Sequence, residues 1–217
     1  MNKLLITTFF AVLALGLIVF NQPGANAVEA ADKEKDYIVL TEDLARLKQD
    51  FNDHQGQLRL LFLVGPTCGG CLADMVDIQE EFLRDMQSDP RVQTFVVHVP
   101  ALRAQEKDVP PAIELMNGPR ITHYWDEVGR SGLEFKKAMG VDKYAWDVFL
   151  IYGADTTWQP ASTPPGPAFW QGDFPDKKLV EKVFAQEVRN RLANITTLVN
   201  ITANEKRKVS ANGDGSL

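Results

Sequence analysis

Seven consecutive residues, Leu58 to Val64 (LRLLFLV), are apolar except for Arg59, and they run without a break into Gly65-Pro66-Thr67-Cys68-Gly69-Gly70-Cys71. A run this short and this apolar reads as a β-strand covered on both faces, as strands of a parallel sheet between helical layers are. A helical pattern follows at once. Leu72, Met75, Val76, Phe82, Leu83 and Met86 recur at spacings of three, four and seven, with Asp74, Asp77, Glu81 and Asp85 on the other side. Val92 to Val99 (VQTFVVHV) is a second buried strand. A helix joins the two strands, so they are expected to lie parallel.

The rest of the chain continues this alternation. Tyr37 to Leu40 reads as a short strand, and Thr41-Glu42-Asp43 as the start of a helix with Thr41 as N-cap and Leu44, Leu47 and Phe51 on its buried stripe. Residues 101–129 read as an insert, helical up to Asn117-Gly118-Pro119 and then a strand over Arg120 to Trp125. Ser131 to Met139 is expected to be a helix closed by Gly140, and Asp147 to Tyr152 a strand. Pro160 to Pro167 is a proline-rich connector, and Asp176 to Leu192 carries a last helical stripe. Strands alternating with helices predict one α/β domain over residues 37–193, a three-layer sandwich with a central mixed sheet, largely parallel, and helices on both faces.

The ends read differently. Lys3, the apolar run Leu4 to Phe20 and the small residues around Ala25-Asn26-Ala27 make residues 1–27 an export signal. The run is also long enough to be retained as a membrane anchor over residues 4–20, and both readings stay open. Residues 28–36 read as a charged linker, and residues 203–217 as a disordered tail. The formal net charge is −6, and Lys206-Arg207-Lys208 is the one basic cluster, so the composition gives no support to nucleic-acid binding.

An exported, for instance periplasmic, chain works where disulfides form, and this one has two cysteines among its 217 residues. A pair separated by two residues closes too small a loop to stabilise a domain of this size, which points to chemistry. Cys68 falls where a buried strand gives way to a helix, and the first helical amides and the helix dipole favour negative charge there. A thiolate at that turn attacks a substrate disulfide, and Cys71, three residues on, resolves the mixed disulfide. Two other readings stay open. One is a Cu(I) site of Cys68, Cys71 and His98, since a soft dithiolate with an imidazole suits that ion. The other is a redox-inert adaptor.

A strand, then Cys68-Gly69-Gly70-Cys71 at the start of a helix, then a strand, in an exported chain, resembles the thioredoxin superfamily over roughly Tyr37 to Leu192. The resemblance implies a thiol:disulfide oxidoreductase with Cys68 as nucleophile and Cys71 as resolving cysteine. It needs no bound cofactor, and its partners are protein thiols and disulfides and a second protein that resets the pair. A membrane enters only if the N-terminal segment is retained. Pro66, Thr67 and Trp146 are the candidates for a substrate groove. Phe62 stands where the family has a buried aspartate. Tyr144-Ala145-Trp146 stands before the strand where the family has a proline, with Pro119 as the other candidate for that residue.

Overall fold

The computed structural model describes residues 35–196, and the export segment 1–27, most of the linker 28–36 and the tail 203–217 lie outside the described residues. Six strands form one sheet: β1 (Ile38–Val39), β2 (Leu58–Val64), β3 (Val92–His98), β4 (Ile121–Trp125), β5 (Val148–Tyr152) and β6 (Phe169–Gly172). Their spatial order is β1-β4-β3-β2-β5-β6. The first four strands in that order are mutually parallel, while β5 runs antiparallel to β2 and β6 antiparallel to β5. The expected pairing of the two apolar runs is present, from Leu58 opposite Val92 to Val64 opposite His98.

The helices are α1 (Ala45–Asp53), α2 (Gly69–Ile78), α3 (Arg84–Met86), α4 (Val109–Ile113), α5 (Arg130–Met139) and α6 (181–196). Side chains along a strand alternate between faces, and β2 divides accordingly. Leu58, Leu60, Phe62 and Val64 join Met75 and Ile78 of α2 and Phe184, Val188 and Leu192 of α6 in one core. Leu61 and Leu63 join Leu47 and Phe51 of α1 and Phe135 of α5 in the other. Each such side chain, fully withdrawn from water, contributes about 1.5–3 kcal/mol, so both layers are held mainly by this burial. The result is a three-layer, thioredoxin-like α/β fold.

Between α2 and α3 the helix widens into a π turn, Gln79–Leu83, which brings both Phe82 and Leu83 onto the buried side. Phe62, where the resemblance implied an aspartate, sits in an aromatic cluster with Phe149 and Phe184, at centroid distances of 5.0 and 6.0 Å.

Three boundaries differ from the sequence reading. The first helix begins at Ala45, after Leu44 turns the chain at φ 54°, and Asp43 accepts the Ala45 amide at 3.1 Å in place of the expected Thr41 cap. The insert holds only two single 3₁₀ turns before α4, because Pro110 and Pro111 fit solely in a first helical turn and Leu102 and Arg103 adopt left-handed backbone. Finally, β6 lies in a stretch where no strand was expected. The expected strand at Arg120 to Trp125 is present as β4, and the expected helix before Gly140 is α5, closed by Gly140 at φ 66°.

Candidate active site

The motif turn is set by the fold on both sides. Strand β2 delivers the chain to Gly65, whose carbonyl accepts the Cys68 amide at 3.0 Å, and Cys68 is the N-cap of α2 in extended backbone geometry. Its Sγ accepts the Cys71 amide at 3.2 Å, so the sulfur takes the role that a Ser or Asp oxygen plays at other helix starts. Both cysteines are free thiols. Cys68 is 8% exposed and Cys71 wholly buried, so only the first is within reach of another molecule. Gly69 and Gly70 are exposed and leave the turn without a covering side chain.

Burial pushes the Cys71 thiol well above the ordinary thiol range, assisted by its hydrogen bond with Cys68 and by the negative charge of Asp147, against a hydrogen bond at Gly65. Cys71 therefore stays protonated until a base takes its proton.

Asp147 is that candidate base, and the sequence reading placed it merely at the edge of a strand. Because β5 is antiparallel to β2, with Leu63 opposite Val148, the residue just before β5 arrives beside the motif. The sulfurs of Cys68 and Cys71 and a carboxylate oxygen of Asp147 all lie within 4.8 Å of one another. Burial raises the Asp147 carboxyl above its ordinary range, as does the charge of Asp173, while a hydrogen bond from Cys71 and the charge of Lys143 work against the rise. Asp74, half-buried on α2, is pushed up to about 6 by burial and then by the charges of Asp147, Glu181 and Asp77, with Lys178 opposing.

The Asp147 backbone is left-handed, φ 53°, in place of a proline at this junction. It is held from β6: the Asp173 amide donates to the Asp147 carbonyl at 2.9 Å. A Cβ on Gly172 would overlap that carbonyl and meet Val148 at 2.8 Å. Gly172→Ala is therefore expected to cost about 1–3 kcal/mol and to displace Asp147, slowing disulfide exchange more than its loss of stability explains. Thermal unfolding and exchange kinetics measured together check this.

The other sequence candidates fall around this centre. Pro66 is buried and Thr67 exposed in the turn before Cys68. Trp146 is half-buried, and its ring edge packs on Gly65, where a Cβ would meet it at 3.4 Å. Together with Leu102, Val128 and Tyr144, Trp146 also lines a cavity of about 400 Å³. A larger cavity, about 660 Å³, lies at α1 and the Trp158 loop and holds none of these residues. Pro119 precedes β4, which runs parallel to β2, and so lies at the sheet end opposite the cysteines.

His98 does not join the cysteines and is committed elsewhere. Its Nε2 lies 3.1 Å from Nδ1 of His123, whose Nε2 lies 2.8 Å from the Met116 carbonyl. A carbonyl only accepts, so His123 carries its proton on Nε2 and accepts through Nδ1, and His98 is the Nε2–H tautomer. Burial, and for His98 the neighbouring His123, lowers the two imidazoles to about 3 and about 4.

Both rings stay neutral in the fold but take up protons in the unfolded chain below about pH 6.5. The stability they allow is complete above that pH and is lost as pH falls through 6.5 toward 4 and 3. From pH 7 to pH 5 the two together are expected to remove about 4 kcal/mol, with Asp74 acting in the opposite direction. His98→Gln should remove about half of the histidine-dependent loss, read from urea unfolding at both pH values.

No protein-family model and no curated protein matches the chain. Among solved structures it is similar to a secreted Mycobacterium tuberculosis disulfide oxidoreductase homologous to E. coli DsbE, at 17% identity and a TM-score of 0.43, over 64% of this chain and 84% of that one. It is also similar to the exposed lipoprotein thioredoxin of Streptococcus pneumoniae, at 16% identity and 0.41, over 64% and 87%. A SCO1/SenC family lipoprotein from Bacillus anthracis shares 7% identity at 0.40, over 64% and 84%.

Proposed function

We propose that the chain is an exported thiol:disulfide oxidoreductase that exchanges disulfides with other proteins through Cys68 and Cys71. The observation that carries this reading is the Cys68 sulfur at the start of α2, bonded to the Cys71 amide at 3.2 Å, with buried Cys71 behind it and the Asp147 carboxylate beside both.

The Cys68 thiolate attacks one sulfur of a substrate disulfide, forming a mixed disulfide and releasing the first substrate sulfur as a thiolate, which takes a proton from solvent. Asp147 then accepts the Cys71 proton. The resulting Cys71 thiolate attacks Cys68 Sγ, closing the intramolecular disulfide and releasing the second substrate sulfur, to which Asp147 returns the proton. The substrate gains two electrons and two protons; the chain supplies both electrons and the Cys71 proton, and solvent supplies the other proton. The same steps in reverse donate a disulfide, and a second protein resets the pair. Among the described residues no helix is long and apolar enough to cross a membrane.

Asp147→Asn keeps the side-chain volume and removes the base. Resolution of the mixed disulfide is expected to slow by about 100-fold, with the initial attack by Cys68 little changed, since general-base assistance contributes about 10²–10⁴-fold. Stopped-flow exchange with a fluorescent disulfide peptide separates the two steps. Equal slowing of both steps would contradict the role given to Asp147.

A further inference from the structure

We propose that the reduced chain binds one zinc ion through Cys68 Sγ, Cys71 Sγ and the Asp147 carboxylate. The three donor atoms lie within 4.8 Å of one another, close enough to converge on one ion with small side-chain movements. The Asp147 Oδ1 atom is buried with no hydrogen-bond partner, an arrangement that costs free energy unless something positive or protic meets it. Its position is built by the fold, through the left-handed backbone at Asp147 and the Asp173 amide that holds its carbonyl. A Cβ on Gly70 would sit 3.9 Å from both Asp147 Oδ2 and Cys68 Sγ, so the exposed Gly69-Gly70 turn is flanked by both donors and offers an entry path.

The donor set selects the ion. Two thiolates with one carboxylate suit borderline Zn²⁺; Cu(I) favours an all-soft set, and Mg²⁺ and Ca²⁺ favour oxygen alone. His98 is outside the set because it is not among the donor atoms that lie within 4.8 Å of one another. Three protein ligands leave a fourth position open to water. Binding converts two thiols to thiolates and releases up to two protons, with no change of oxidation state. It holds both sulfurs, so the metal-bound chain does not exchange disulfides.

The inference rests on the proposed function only in that the working cycle must expose the reduced pair. Metal titration needs no exchange activity, so the two fail separately. Chemically reduced, purified full chain is titrated anaerobically with Co²⁺ and then Zn²⁺. One Co²⁺ per chain is expected, with thiolate-to-cobalt charge transfer and intense four-coordinate visible bands that Zn²⁺ abolishes, and no uptake by the oxidised chain. Asp147→Asn should weaken zinc affinity by about tenfold or more.

No uptake by the reduced chain, one metal per two chains, or unchanged affinity in a folded Asp147→Asn protein would each overturn the proposal. X-ray absorption of the zinc-loaded wild type gives an independent reading should that variant fail to fold. Two sulfurs with oxygen donors and no imidazole scattering support the site, and an imidazole signal would overturn it.

Discussion

Cys68→Ala is expected to lose all measurable disulfide exchange, and Cys71→Ala to keep the first half of the reaction and accumulate a mixed disulfide with its substrate. The asymmetry follows from burial. Cys68 reaches the surface at 8% exposure beside the uncovered Gly69-Gly70 turn, while Cys71 has no exposed surface and a thiol held protonated. Only Cys68 can meet a substrate sulfur, and only Cys71 can release it. Neither change should disturb the fold strongly, since Ala is a good helix residue at position 71 and Cys68 only caps α2. Non-reducing electrophoresis after mixing each variant with a disulfide-containing protein reads the result. Equal exchange by Cys68→Ala, or equal trapping by both variants, would reverse the roles.

Arg59→Ala is expected to destabilise the fold by about 4 kcal/mol, the largest stability effect of any single change proposed for this chain. Arg59 is the one charged residue of β2, fully buried, with its guanidinium over the Phe51 ring at 4.7 Å. It donates to the carbonyls of His54 and Ala154 at 3.1 Å and of Gly153 and Thr156 at 2.7 Å, tying the end of α1 to the turn after β5. Burial lowers the guanidinium to about 10, with the charge of Asp155 opposing, so it remains protonated near neutral pH.

Truncation to Ala leaves a cavity and removes four hydrogen bonds from a charged donor. Arg59→Met fills most of the volume and removes the cost of burying a charge, so it is expected to lose clearly less than Ala does. Chemical denaturation of both variants checks the order, and a Met variant as unstable as Ala would contradict it. Arg59 lies at the sheet end away from the cysteines, so exchange by the folded variants should be close to that of the parent chain.

The parts of the fold legible in the sequence were those written in contiguous residues. LRLLFLV and VQTFVVHV announce strands covered on both faces, and the stripe from Leu72 to Met86 announces the helix between them. Cys68 and Cys71 stood out because a pair of cysteines at a strand-to-helix turn has few structural uses. Strand β6, Phe169–Gly172, was hidden because FWQG has little strand alternation and follows a proline-rich connector.

Asp147 was missed for a different reason. Its place beside the cysteines comes from β5 returning antiparallel to β2, a pairing across more than eighty residues that local periodicity does not contain. Phe62 lacks the carboxylate that the resemblance implied there, and Asp147, just before β5, places one beside the cysteines. The contact between His98 and His123 was hidden in the same way, since His123 lies on the neighbouring strand β4.

Cys68 and Cys71 are proposed to form a reversible redox pair within one chain. Equilibration of the chain in graded dithiothreitol buffers, followed by alkylation and mass analysis, tests this most directly. A single two-electron transition is expected, yielding an intramolecular Cys68–Cys71 disulfide in every oxidised chain. Cysteines that stay reduced across the whole range, or that form only disulfides between chains, would contradict it.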